Sequence, residues 1–303
     1  MALTRNQFTV LSYLAELRDP SGIGLLARES GLPAETVTET RNQLTEAGLL
    51  SGDTVTPGGV TALGIAALEP YRAKRAVFIA AGFGSRMVPI TLNTPKPLVR
   101  VKGMRIIDTL LDAVLAAGIN EIYIVRGYLG EQFDQLLYKY PSIRFLENPI
   151  YNEANNISSA LCARYFFKNA YIFEADLFLH NPALIAKYQY TSNILGVPVR
   201  ETDDWYLKTT DGVISEMGQG GRDCYHWYGI SYWTEAAGAR LAEHLKQAFD
   251  KVEGARGRIW DYTPLDYFKK DYRVEVRECT FDDITEIDSF AELQQMDETY
   301  RVG

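Results

Sequence analysis

Residues 76–98 read AVFIAAGFGSRMVPITLNTPKPL, an apolar run that enters a glycine-bearing turn and is followed by Arg86 and Lys96. The first five residues have the length and composition of a buried strand. Such a strand delivers Gly82 and Gly84 to its carboxyl end, where glycine permits positive φ and lets backbone N–H groups approach phosphate oxygens. Arg86 and Lys96 then add positive charge to those donors. The order of glycine turn, arginine, Pro89 and Thr94-Pro95-Lys96 fits neither a P-loop, which needs Gly-Lys-Ser/Thr, nor a dinucleotide fingerprint, which needs G-x-G-x-x-G. The stretch predicts a strand-end grip on a nucleoside triphosphate.

Outward from this stretch the chain has two rhythms. Beyond the basic boundary at residues 71–75, apolar strand candidates at 76–80, 121–125, 142–146, 171–175, 193–199, 228–233 and 272–279 alternate with amphipathic helices at 106–118, 156–167 and 235–249. That alternation predicts an α/β domain over residues 76–303, with a mostly parallel sheet covered on both faces and the ligand at the carboxyl ends of its strands.

Residues 1–70 read instead as a small helical unit, with a tight turn at Gly31-Leu32-Pro33, a third helix over 34–48, and a glycine- and threonine-rich SGDTVTPGGVTALG (51–64) that suggests a short hairpin. The pattern resembles a winged helix-turn-helix domain of the MarR kind. Its cations are arginines alone (Arg5, Arg18, Arg28, Arg41), acids outnumber them, and the would-be recognition helix carries three glutamates and one arginine. Phosphate neutralisation supplies most non-specific DNA affinity, so nucleic acid is not the expected partner. Protein contact, including homodimerisation through this unit, fits the composition better.

The chain of 303 residues is 47% hydrophobic and 23% charged, with a net charge of -8, the balance of a globular protein with a sizeable core. The acidic excess opposes general attraction to nucleic acid or anionic lipid, so anionic substrates need a local cluster of cations. No run approaches the roughly 20 apolar residues of a membrane span, and MALTRNQF has no signal-peptide pattern, so a cytoplasmic location without membrane insertion is expected. Cys162, Cys224 and Cys279 are odd in number and without C-x-x-C spacing, which reads as reduced buried thiols.

A cation grip on a triphosphate is completed by a metal, and hard Mg²⁺ is held by carboxylate oxygen. Asp176 ends the apolar run YIFEA and would emerge at the same sheet edge as the glycine turn. Asp288, in Thr285-Glu286-Ile287-Asp288-Ser289, precedes a terminal helix and could serve the site or cap that helix. His180, His226 and His244 form no ligand spacing.

The order G-x-G-x-R…P-K resembles the nucleotidyltransferase signature. With INEIYIVRGYLGEQFDQL, NNISSALCARYFF, YIFEADLF, ETDDWYLKT, YGISYW, IWDYTPLDYF and EIDSFAEL following in order, residues 76–300 resemble the bacterial CTP:phosphocholine cytidylyltransferases. The resemblance implies a Rossmann-like nucleotidyltransferase domain with a mostly parallel mixed sheet, preceded here by the small winged-helix unit. It implies that Lys96 and Arg86 bind phosphates and act in catalysis, and that Asp176 and Asp288 hold Mg²⁺. Ala80, Ala81, Gly82, Phe83 and Gly84, with Gly127 and Tyr128, would contact the nucleotide. CTP and phosphocholine would be the substrates, giving CDP-choline and pyrophosphate. The 70 residues before the glycine-loop strand depart from the family pattern.

The acceptor depends on two aromatic and acidic clusters, Asp203-Asp204-Trp205-Tyr206 and Trp260-Asp261-Tyr262. A trimethylammonium group has no N–H and is best held by aromatic faces, a role that suits Trp205 and Trp260, with Asp261 and Tyr262 in support. A primary ammonium would favour carboxylates instead, so 2-aminoethylphosphonate or phosphoethanolamine is the alternative acceptor. A sugar-1-phosphate is weakened by the absence of a long carboxyl-terminal extension. A transcriptional regulator that senses ligand through a transferase-like domain is the reading from a different class, opposed by the joint presence of Arg86, Lys96, Asp176 and Asp288.

Overall fold

The protein is described by a computed structural model that covers residues 2–16, 23–51 and 59–301. The chain divides into two units, Met1–Arg72 and Ala73–Gly303. In the first, α1 (Arg5–Glu16), α2 (Ile23–Ser30) and α3 (Ala34–Glu46) bury a shared apolar stripe that includes Leu11, Leu14, Leu26 and Leu44. Gly48, at φ 71, ends the third helix in the left-handed conformation. A single antiparallel bridge joins Leu50 and Val60. The expected hairpin over 51–64 falls largely on residues 52–58, outside the described residues. Its last part is corrected: Thr61 accepts the Gly64 N–H and caps α4 (Ala62–Leu68), so these residues are helical.

In the second unit the strands are β1 (Arg75–Ile79), β2 (Arg100–Val101), β3 (Met104–Arg105), β4 (Glu121–Arg126), β5 (Ile143–Glu147), β6 (Ala170–Glu174), β7 (Leu177–Leu179), β8 (Asn193–Thr210), β9 (Val213–Trp233), β10 (Glu275–Glu278) and β11 (Ile284–Glu286). The helices are α5 (Ile106–Ala116), α6 (Ile157–Ala163), α7 (Glu235–Lys251) and α8 (Phe290–Met296). The main sheet runs β10-β8-β9-β6-β1-β4-β5. Its centre, β6-β1-β4-β5, is parallel, and β9 joins β6 antiparallel. Near-continuous apolar strands are what a sheet covered on both faces requires. On one face Phe78 and Phe173 stack with centroids 4.6 Å apart over Ile107, Leu110 and Val114 of α5. On the other, Val77 and Ile172 pack with Ile157 of α6 and Leu241 and Leu245 of α7.

The longest elements exceed their sequence expectation. Residues 193–199 begin a strand that continues to Thr210, and residues 228–233 end one that starts at Val213. Asp211 and Gly212, at φ 51 and 74, close this hairpin with two left-handed residues, the backbone that matches strand twist in a two-residue turn. Among the described residues no helix is long and apolar enough to cross a membrane.

Candidate active site

The parallel β1–β6 register pairs Ile79 with Glu174, so the chain leaves both strands at one edge. There Ala80, Ala81, Gly82 and Gly84 line a cavity of about 590 Å³ together with Arg86 and Lys96. Gly84 has φ 68, and a Cβ on it would lie 3.1 Å from Lys96 Cβ and 3.2 Å from Thr91 Cγ2. Conformation and crowding both require glycine there. Phe83, Gly127 and Tyr128 do not line the cavity. Tyr128 donates its N–H to the Ala81 carbonyl at 3.0 Å and its hydroxyl to the Thr91 carbonyl at 2.8 Å, while Phe83 meets its ring edge-on at 4.5 Å. A Cβ at Gly127 would lie 2.6 Å from the Tyr151 ring. These three residues, expected against the nucleotide, are engaged with one another, with Ala81 and Thr91, and with Tyr151.

The two aspartates meet although 112 positions separate them in the sequence. The short ribbon β7–β11 pairs Leu177 with Glu286, and the Ile287 N–H donates to the Asp176 carbonyl at 3.3 Å. Asp288 does not cap the terminal helix. Ser289 does, accepting the Glu292 N–H at 3.2 Å, while the Glu292 carboxylate accepts the N–H groups of Asp288 and Ser289 at 2.7 and 2.8 Å. That leaves the Asp288 carboxylate for the cavity. Oxygens of Asp176, Glu286 and Asp288 lie within 4.8 Å of one another. Glu286 escaped the sequence reading, although an acid two residues before Asp288 on an extended segment shares its face.

Lys96 is nearly buried, and its Nζ lies 2.8 Å from both Asp176 Oδ2 and Asp288 Oδ1. The Arg86 guanidinium is 2.8 Å from the same Asp288 oxygen. Burial works against the lysine's charge, but Asp176 and Asp288 outweigh it and hold its pKa above the ordinary range. Asp176 Oδ1 is buried with no hydrogen-bond partner among the described residues. An orphaned carboxylate oxygen in a set of three carboxylates is the donor chemistry that suits a hard divalent cation. Burial, then Asp176, Asp288 and Asp204, push the Glu286 carboxyl well up. Burial, then Asp176, Asp261 and Glu286, do the same for Glu174.

The expected aromatic cage is corrected. Trp205 lines the cavity, 6.4 Å from Trp227 and 6.0 Å from Tyr262, edge to face in both cases. Trp260 does not line it. It is 2% exposed, and its ring packs 5.8 Å from both Phe167 and Trp233, a core position on the α6–α7 face of the sheet. Asp261 is 1% exposed, and Tyr262 does not line the cavity but meets Trp205 edge to face. Asp204, from the first acceptor cluster, lines the cavity too, and the part of the wall that sequence reasoning missed consists of Trp227, from the returning strand of the hairpin, with Asn156 and Glu174.

Residues 75–182 match the family described as Nucleotidyl transferase. The 2-aminoethylphosphonate cytidylyltransferase of Lancefieldella rimae is 35% identical over 229 residues, 74% of this chain and 92% of that protein. The choline-phosphate cytidylyltransferase of Streptococcus pneumoniae is 30% identical over 232 residues, 74% of this chain and 97% of that protein. A solved structure of CTP:phosphocholine cytidylyltransferase from Streptococcus pneumoniae superposes with a TM-score of 0.69 at 29% identity, covering 76% of this chain and 100% of that one. The family match over the glycine-loop strand and relatives covered over nine-tenths of their length show that the chain belongs to the nucleotidyl transferase family as a cytidylyltransferase.

Proposed function

We propose that the protein transfers the cytidylyl group of CTP to 2-aminoethylphosphonate, releasing pyrophosphate. The observation that carries this reading is the composition of the acceptor side of the cavity. Trp260 lies in the core, and Glu174 and Asp204 line the cavity together with Trp205 and Trp227. A quaternary ammonium gains only from the aromatic faces. A primary ammonium also donates three charge-assisted hydrogen bonds, each stronger than a neutral one. Similarity to the Lancefieldella rimae protein, named for that phosphonate, supports the same acceptor.

In this reading Asp176, Asp288 and Glu286 would hold Mg²⁺, which when bound supplies positive charge to the phosphates. Lys96 and Arg86 turn from carboxylate to phosphate as the nucleotide enters. The loop of Ala80, Ala81, Gly82 and Gly84 presents backbone N–H groups to the triphosphate. A phosphonate oxygen, already anionic near neutral pH, forms the new bond to the α-phosphorus, so no general base is needed. The α–β anhydride bond breaks and its electron pair leaves with pyrophosphate, on which Lys96 and Arg86 neutralise the growing charge. The reading is tested by kcat/KM for 2-aminoethylphosphonate, phosphoethanolamine, phosphocholine and a hexose-1-phosphate with CTP. It expects the order aminophosphonate first and hexose phosphate last, and phosphocholine ahead of both amines would overturn it.

A further inference from the structure

We infer that Glu174 reads the charged end of the acceptor, and that Asn156 and Gly229 are positioning residues that aim its carboxylate into the cavity. The inference rests on the proposed transfer to an ammonium-bearing acceptor. Strand β6 alternates: Tyr171 and Phe173 enter one core and Ile172 the other. Glu174 therefore falls on the face of Ile172, where Trp227, Trp233 and Trp260 pack. Asp176 lies beyond the strand, at the β7–β11 ribbon. The two acids, two residues apart, line the same cavity, Asp176 within the carboxylate cluster it forms with Glu286 and Asp288.

Two devices fix the glutamate. Asn156 Nδ2 donates to Glu174 Oε1 at 3.0 Å, and Asn156 Oδ1 accepts the Trp260 N–H at 2.8 Å. With both ends of its amide engaged, Asn156 has one orientation. On the neighbouring strand, a Cβ at Gly229 would lie 2.5 Å from Glu174 Cγ and 2.7 Å from its Cβ and Oε2. Only glycine leaves room for this rotamer. Among the described residues Glu174 makes no ion pair, because Lys96 is engaged by Asp176 and Asp288. A carboxyl group held in one orientation in the cavity that Trp205 and Trp227 also line, with no ion pair among the described residues, is a receptor for a cation, and the acceptor's ammonium is the cation the proposed reaction supplies.

The test compares 2-aminoethylphosphonate with ethylphosphonate, its analogue lacking the amine, as substrates or competitive inhibitors of the full-length protein. Wild type should favour the amine-bearing acceptor by at least about a hundredfold, and Glu174→Gln should remove at least about tenfold of that preference, the worth of a charged hydrogen bond. The KM for CTP should change far less than that for the aminophosphonate, since the inference gives Glu174 no part in holding the nucleotide. Asn156→Ala should raise the aminophosphonate KM with kcat little changed, a split that a general structural defect would not give. If Glu174→Gln does not fold by circular dichroism, Glu174→Asp, which retracts the charge by one methylene, is judged by the same preference ratio. Equal damage to both acceptors, or to CTP, would overturn the inference. If wild type uses phosphocholine and not the aminophosphonate, the acceptor reading fails, and Glu174 is judged by phosphocholine against its uncharged 3,3-dimethylbutyl phosphate analogue.

Discussion

Replacing Lys96 by methionine should have two opposite effects. Its Nζ is 2.8 Å from Asp176 Oδ2 and 2.8 Å from Asp288 Oδ1, so in the nucleotide-free protein it holds the oxygens proposed for the metal. Each ammonium–carboxylate contact at this range is worth roughly 4 kcal/mol or more at an effective dielectric near 20. Most of that is offset by the cost of burying the charges. A net release of about 1.4 to 3 kcal/mol remains for a competing cation, which corresponds to roughly 10- to 100-fold tighter divalent binding. Turnover should move the other way, falling by at least about a hundredfold, because the same charge is missing where pyrophosphate departs. Titration of nucleotide-free protein with Mn²⁺, followed by electron paramagnetic resonance, reads the first effect without any turnover. Unchanged or weaker Mn²⁺ binding by Lys96→Met would refute competition for these carboxylates.

Asp176→Asn should cost at least about a hundredfold in turnover, roughly 2.7 kcal/mol, with the fold retained by circular dichroism; activity within threefold of wild type would remove it from the metal set. Trp260→Ala should lower stability by about 3 to 5 kcal/mol, the cost of emptying a large buried aromatic site, in denaturant unfolding; an unchanged midpoint with a selective loss of acceptor binding would return it to the pocket. Asp261 is pushed up to about 8 by burial, so between about pH 4 and pH 8 the folded protein holds a proton that the unfolded chain has released, and its contribution to stability declines as pH rises. Wild type should therefore lose up to about 1.4 kcal/mol per pH unit from this group across that window, and Asp261→Asn should lack that slope in unfolding measured from pH 5 to 8. Removing residues 1–72 should leave cytidylyl transfer measurable, since all proposed site residues follow Arg75; a soluble but inactive fragment would give the first unit a part in the reaction.

The glycine loop was legible because its chemistry is local: strand, Gly84, Arg86 and Lys96 lie within one stretch whose backbone needs are written in its residues. Asp176 was legible from the strand it ends, and Asp288 from the resemblance, but how they meet was not, because the three-residue strands of the β7–β11 ribbon carry too little pattern to read. Glu174 went unnoticed as the polar end of an apolar run, since only the alternation along β6, seen in its packing, assigns it a face. The hairpin over 193–233 outruns the apolar stretches 193–199 and 228–233 because its middle, at Glu201-Thr202-Asp203-Asp204, is polar, and an apolar pattern cannot mark a strand there, although Asp211-Gly212 is a two-residue turn pair. Trp260 was misplaced for a general reason. Composition tells that an indole will be buried, and only tertiary packing tells whether it is buried against substrate or against Phe167 and Trp233.

The central claim is the identity of the bond that forms, and ³¹P nuclear magnetic resonance of purified protein with CTP, MgCl₂ and 2-aminoethylphosphonate observes it directly. The account predicts that the phosphonate resonance is replaced by a coupled phosphonate–phosphate pair of the cytidylyl product while pyrophosphate accumulates in equal amount. An unchanged phosphonate resonance, in a sample that converts phosphocholine to CDP-choline, would contradict it.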